Sequence, residues 1–460
     1  MGAMTLHEAV EAMRGKVAGR VHPVPISGVC TDSRTVRPGQ LFIALVGVRH
    51  DGHDHVSEAL SRGAVAAVVS RREMLDEVHP RPLIWVRDTV AALGNLASYY
   101  RDQLVAVVVA VTGSCGKTTT REMIHHLLSQ TRRGRQAIKS YNNHIGVPLS
   151  LLSAERNDEF LVLELGSNSP GEIDRLARLA RPDVGVLVTV GPAHLEGLGS
   201  IKGVIREKTS LFRHVADGGL AVVNADCPLG DLDPPGARTL KLIRFGESPS
   251  ADVRLTGFAQ QPTGIRFEYN GHFEVTMPVL GRHNAVNALA AVVVAKRFGL
   301  SDSHIAERLG TFSPPRMRLE RFSIGQAEII LDAYNANPAS MSSAIDVLDA
   351  LETDRRRVLV VGDMGELGEQ SESLHRETGQ RIATSRAQVL VAVGKWAGVV
   401  TEPCRPRITC HLYPDVASAA GAMDEWFKPR DLVMLKGSRV MNLETLVDRM
   451  RRRALSSATT

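Results

Sequence analysis

The stretch Val107 to Thr120, VVVAVTGSCGKTTT, constrains this chain more than any other. A run of valines marks a parallel strand covered on both faces, and here it leads into Gly113, a tight turn, Gly116, Lys117 and Thr118. The glycines let backbone N–H groups approach phosphate oxygens with no Cβ in the way. In such a loop Lys117 reaches the β- and γ-phosphates, and the Thr118 hydroxyl sits on Mg²⁺. Only two residues separate Gly113 from Gly116, fewer than the common phosphate-loop pattern has. Strand, turn, Lys-Thr and helix nevertheless follow in order, which a glycine turn before an ordinary helix would not require.

At 460 residues the chain exceeds what one core supports, and three units can be traced. In the first, Thr5 to about Gln103, short strands alternate with polar loops, and an amphipathic helix begins near Thr89. Its loop Thr31-Asp32-Ser33-Arg34 reads equally as a capped turn or a binding loop. The second unit starts at Leu104 with the phosphate loop and a helix over Thr118 to Gln130. Apolar strands follow at Phe160 to Leu165, Val184 to Val190 and Leu220 to Asn224, with a helix at Ile201 to Phe212. Strand and helix in alternation predict a doubly wound parallel sheet. Between Ala251 and Pro278 the pattern changes to short strands around Asn270-Gly271, a hairpin signal. A buried Ala/Val helix follows, then the breaker Pro314-Pro315. The third unit repeats the alternation, its strands ending on Asp332, Gly362-Asp363, Gly394-Lys395 and Lys436-Gly437. The expected fold is α/β, with a small N-terminal α/β domain at 1–103, a central phosphate-loop domain at 104–317 and a Rossmann-like domain at 318–460. Met1 to Ala3 carry no weight in it.

A formal net charge of +5 and a pI near 9.0 suit a polyanionic small molecule as well as nucleic acid. Aromatic residues make up only 4% of the chain and no dense basic run interleaves with them, so nucleic acid is the weaker partner. The five cysteines lack CxxC spacing, which disfavours both a disulfide framework and a zinc site and fits a reduced cytoplasmic setting. Apolar runs such as Leu104 to Val111 fall short of the ~20 residues of a membrane span, and no secretory leader pattern is seen. The missing G-x-G-x-x-G counts against a dehydrogenase.

A carboxylate at the end of a buried strand is well placed beside a nucleotide, because open α/β sheets bind ligands beyond the carboxyl ends of their strands. Glu164 is such a residue. With Thr118 it offers the oxygen ligands that Mg²⁺ wants; His194 is a softer ligand and less expected. On residues alone, Lys208 reads as a solvated helix lysine, and Asn337-Pro338 as a turn and helix start.

Taken together, TGSCGKTTT, the Glu164 strand end, GPAHLEGLGS (Gly191 to Ser200), GRHNAVNALAA (Gly281 to Ala291), LDAYNANPASM (Leu331 to Met341), GDMGELG and LKGSR (Leu435 to Arg439) resemble the Mur ligase family over essentially the whole chain. The resemblance implies an ATP-dependent amide ligase of peptidoglycan synthesis. DAYNANP, GDMGELG and KGSR point within the family to the ligase that adds D-alanyl-D-alanine to UDP-N-acetylmuramoyl-tripeptide. It further implies that Thr112, Gly113, Ser114, Cys115, Gly116, Lys117, Thr118 and Thr119 hold ATP, with Asn284 near the adenine and Asp332 on the ribose. Mg²⁺ falls to Thr118, Glu164, His194 and a carbamylated Lys208, although Glu207 and Ser210 depart from the residues the family usually has around that lysine. PPRMRLE offers both Arg316 and Arg318 to the γ-phosphate, and Arg318 has the more usual context. Ser33 and Arg34 match the uridine side, and Asn142, Asn143 and His144 the sugar and peptide. Asn335, Asn337, Lys436 and Arg439 match positions where the last domain meets the site. A monomer is expected. The rivals are a ligase adding the third residue, folylpolyglutamate synthase, and an ATPase or binding module that makes no amide.

Overall fold

The computed structural model describes residues 4–19, 23–76, 79–229 and 239–457; Met1 to Ala3 lie outside them. The expected α/β architecture is what the chain adopts. In the first unit a five-stranded sheet runs in the order Lys16–Ala18, Leu83–Trp85, Ala66–Val69, Gln40–Ile43, Gly28–Cys30. Every pairing in it is parallel except the first. The helix Leu6–Met13 starts on a capping box, with the Glu8 amide on the Thr5 hydroxyl and the Thr5 amide on the Glu8 carboxylate. Asp88 caps the helix Thr89–Arg101 with its carboxylate alone, accepting the Val90 and Ala91 amides.

The central sheet has nine strands. From one edge they are Phe273–Met277, Gly264–Tyr269, Val253–Gln261, Lys241–Gly246, Leu220–Asn224, Val184–Leu187, Val107–Thr112, Phe160–Glu164 and Gly134–Gln136. Pairing is parallel from Gly134–Gln136 as far as Val253, and antiparallel across the three-stranded edge. The Asn270-Gly271 hairpin joins its two strands through left-handed residues, with φ of 53° and 79°. Alternation along the valine run decides the layering. Val109 and Val111 face the helices Lys117–Ser129 and Arg282–Arg297. Val108 and Ala110 face the other way, into one core shared with Leu41, Val68, Leu93 and Tyr100 of the first unit.

The last sheet runs Glu320–Ile324, Ala327–Asp332, Leu432–Lys436, Arg357–Gly362, Val389–Val393, Thr409–Tyr413 and is parallel beyond its first, antiparallel strand. Three short edge strands, Gly134–Gln136, Glu320–Ile324 and Thr409–Tyr413, have too little apolar periodicity to be read in advance. The helix expected over Ile201 to Phe212 is α-helical only to Thr209 and tightens into a 3₁₀ turn at Ser210–His214. Among the described residues no helix is long and apolar enough to cross a membrane.

Candidate active site

The strand Val107–Thr112 hands over to its helix through a loop shaped by Thr189 at the end of the neighbouring strand. Thr189 accepts the Ser114 amide on its carbonyl (2.9 Å) and the Cys115 amide on its hydroxyl (2.8 Å), and that hydroxyl donates to the Cys115 carbonyl (3.0 Å). Gly116 takes φ 81°, and a Cβ there would come within 2.5 Å of Asn287 Oδ1. The helix therefore begins at Lys117 with no side chain capping its first amides, which leaves them and the positive end of the helix dipole for an anion. Lys117 Nζ curls back to the Gly113 carbonyl at 2.7 Å. Desolvation in the cleft lowers its pKa.

Two clefts meet at this loop. The first, about 380 Å³, is lined by Ser114 to Thr119, by Asn284 and by Asp332, Asn335, Asn337 and Lys436 from the last unit. Lys436 Nζ pairs with Asp332 Oδ2 at 2.9 Å and donates to the Asn335 carbonyl at 2.6 Å, joining two adjacent strand ends. Asn284 donates to the Leu280 carbonyl and accepts from Asn287. Asn337 caps the helix Pro338–Ala350 through Ser340, and its Nδ2 donates to Cys115 Sγ at 3.0 Å. His283 also lines this cleft, and burial lowers its pKa.

The second cleft, about 300 Å³, is lined by Asn142, Asn143, His144, Glu164, Ser167 and His194. Glu164 Oε2 accepts from the Thr118 hydroxyl and Oε1 from Asn142 Nδ2, both at 2.9 Å. Asn143 Oδ1 accepts the Ile145 and Gly146 amides and so fixes the loop. Lys208 is fully buried with its Nζ on Ser167 Oγ at 2.8 Å; burial first, then the charge of Lys117, pushes its pKa down to about 7. Lys117, Arg318 and Asn335 line both clefts. Arg318 reaches Thr118 Oγ1 at 3.5 Å with its guanidinium over the Tyr334 ring, whereas Arg316 lines neither cleft.

Several residues singled out above do not line these clefts: Lys208 reaches the second only through Ser167, and Gly113 lies just behind the loop residues that line the first. Ser33 is buried on Glu58 (2.7 Å), Arg34 is exposed and paired with Asp32, and Arg439 is exposed and paired with Glu444. Thr112 lies beneath the loop with its hydroxyl on the Leu165 carbonyl. Sequence reasoning missed several participants. Arg121 is buried between the Lys139 carbonyl and Glu122, 3.6 Å from Glu164. Glu207 accepts the Gly171 and Ile173 amides at 2.7 Å each. Glu366, from GDMGELG, meets His194.

The residues present fit a magnesium ion at the second cleft. Glu164 in that cleft and Thr118, which lines the first cleft and bonds to it, offer hard oxygens, and Lys208, behind Ser167, can add CO₂ in its neutral form to become a further oxygen donor. No group of three His, Cys, Asp or Glu surrounds one point among the described residues; magnesium tolerates such a sparse set because it keeps waters and takes phosphate oxygens.

Three family models match successive parts of the chain. They are "Mur ligase family, catalytic domain" at residues 25–101, "Mur ligase middle domain" at 111–295 and "Mur ligase, glutamate ligase domain" at 317–439. The chain is 35% identical over 452 residues to the UDP-N-acetylmuramoyl-tripeptide–D-alanyl-D-alanine ligase of Bacillus subtilis, covering 96% of this chain and 97% of the relative. Among solved structures it is similar to MurF from Acinetobacter baumannii, with 31% identity, 98% and 99% of the two chains covered and a TM-score of 0.89. It is also similar to MurF from Thermotoga maritima in complex with ADP, with 28% identity, 94% and 98% covered and a TM-score of 0.80.

Proposed function

From the premise that this chain belongs to the Mur ligase family, we propose that it joins D-alanyl-D-alanine to UDP-N-acetylmuramoyl-tripeptide, using ATP and passing through an acyl phosphate. The observation that carries this is the junction of the two clefts: Lys117, Arg318 and Asn335 belong to both, so a phosphoryl group held there is shared between a nucleotide on one side and an acceptor on the other.

A carboxylate is a poor acyl donor. Its oxygen attacks the γ-phosphorus, the bond to the ADP oxygen breaks, and the acyl phosphate remains. The amine of D-alanyl-D-alanine then attacks the acyl carbon, phosphate leaves and the amine gives up a proton. The first step is mainly positioning and charge neutralisation. Lys117, Arg318 and the uncapped helix amides supply the positive charge, Asn284 and Asp332 hold the nucleoside, and Asn142, Asn143 and His144 hold the sugar and peptide. Ser33 and Arg34, away from these clefts, hold the uridine from residues 1–103, while residues 318–460 close over the site through Asn335, Asn337 and Lys436, with Arg439 at its outer margin, and exclude the water that would hydrolyse the intermediate. Thr118, Glu164, His194 and carbamylated Lys208 would hold Mg²⁺, whose chemistry is to draw phosphate and carboxylate oxygens together against their like charge. A monomer in a reducing, cytoplasmic setting completes the proposal; all five cysteines are free thiols.

Mass spectrometry of the product from ATP, UDP-N-acetylmuramoyl-tripeptide and D-alanyl-D-alanine is the test. The pentapeptide is expected, with ¹⁸O from a labelled tripeptide carboxylate appearing in the released phosphate. ADP without pentapeptide would overturn the ligase assignment, and pentapeptide without label transfer would overturn the acyl phosphate.

A further inference from the structure

GDMGELG, at Gly362 to Gly368, has no task in the chemistry above. It follows the strand Arg357–Gly362 and returns to the central unit. There Glu366 Oε2 lies 2.5 Å from His194 Nδ1. The Glu366 carbonyl accepts the Glu196 amide at 3.2 Å, and a Cβ on Gly368 would sit 3.3 Å from Glu196 Cα, so the two turns are pressed together. Both side chains spring from strained backbone: His194 has φ 55° and Glu366 φ 61°. A left-handed conformation is unfavourable for a non-glycine residue and persists only where the surroundings enforce it. Two such residues on different units aim their side chains at each other.

Nδ1 of His194 is buried with no other hydrogen-bond partner among the described residues, and the Glu366 carboxylate is an acceptor within its reach. A carboxylate on one ring nitrogen fixes the tautomer and the plane of an imidazole, leaving the other nitrogen with its lone pair. His194 lines the second cleft beside Glu164 and Ser167, and among the described residues no bond engages its Nε2.

We propose that Glu366 is a positioning residue: from the C-terminal unit it holds Nδ1–H of His194 and presents Nε2 as a lone-pair donor to the second cleft, so the central unit's magnesium site is complete only when the C-terminal unit is docked. This rests on the assignment of His194 to magnesium made above.

Two measurements separate the layers. In full-length protein labelled with ¹⁵N-histidine and stripped of divalent metal, long-range ¹H–¹⁵N spectra should show His194 protonated at Nδ1, with its signals identified by their loss in His194→Gln. Glu366→Ala should move the proton to Nε2 or mix the tautomers, and Glu366→Gln, whose amide oxygen still accepts, should keep the wild-type pattern. A wild-type ring already protonated at Nε2, or a pattern unmoved by Glu366→Ala, overturns the positioning role. In the ligation assay Glu366→Ala should raise the Mg²⁺ concentration for half-maximal rate roughly 10–100-fold and leave KM for ATP within about twofold, with Glu366→Gln recovering most of the loss. If His194→Gln raises that Mg²⁺ requirement and Glu366→Ala does not, Glu366 is no positioner. If His194→Gln leaves it unchanged, the magnesium assignment itself fails.

Discussion

Lys208 is the residue whose environment says most about its chemistry. A neutral amine adds CO₂ and an ammonium does not, and a pKa near 7 makes the neutral form abundant at physiological pH. Lys208→Ala should lose most activity and regain part of it with short carboxylates such as acetate; full turnover without additives would remove the carbamate role. The same burial ties Lys208 to stability. Between about pH 7 and 10.5 the unfolded chain keeps a proton that the native chain has released, so stability rises with pH across that window; below it both states carry the charge and the burial penalty is complete. In urea titrations without metal or CO₂, Lys208→Met should therefore exceed the wild type most at about pH 6, the gap narrowing towards pH 10. A gap independent of pH would count against a buried titrating amine. The lysine was visible in the sequence only through resemblance, because a charged residue on an amphipathic helix carries no mark of its burial. Glu164, Asp332 and Lys436 were easier: each ends a continuous apolar run, and a strand's end is a local property.

At the scale of elements, Glu207 explains a departure from the family's usual residue. It sits on the helix Ile201–Thr209 and accepts the amides of Gly171 and Ile173, at the start of the helix Glu172–Ala180. A cap supplied by another helix sets the spacing between the two, and with it the reach of Lys208 to Ser167. Glu207→Ala should lower stability by roughly 1–2 kcal/mol in urea unfolding, and Glu207→Gln, with one acceptor oxygen, should lose less. Equal losses would point to packing instead. Such a cap is not legible from spacing, because donor and acceptor lie on separate elements. The phosphate loop was legible because strand, glycines, Lys-Thr and helix are contiguous, whereas the His194 and Glu366 contact joins turns from different sheets.

On the scale of the molecule, Cys115 Sγ accepts a hydrogen bond from Asn337 Nδ2, so the nucleotide loop and the C-terminal unit touch through a thiol. Alkylating Cys115 should abolish ATP binding and ligation together, with bound ADP protecting and Cys115→Ser insensitive. Unchanged ATP affinity after selective alkylation would show that the thiol stands outside the loop's working face. The apolar layers divide the chain unevenly. Val108, Ala110, Leu161 and Leu163 of the central sheet pack in one layer with Leu41, Val68, Leu93 and Tyr100 of the first unit. The last sheet has Ile329, Val358, Val391 and Leu435 in a layer of its own on one face and shares the other with the turn at Leu195 and Leu198. Calorimetry should accordingly resolve two cooperative transitions rather than three, the first two units melting as one block. A fragment ending near Gln103 would aggregate with half a core exposed, and limited proteolysis should cut first between Phe312 and Glu320, releasing the one part of this enzyme that could be expressed alone.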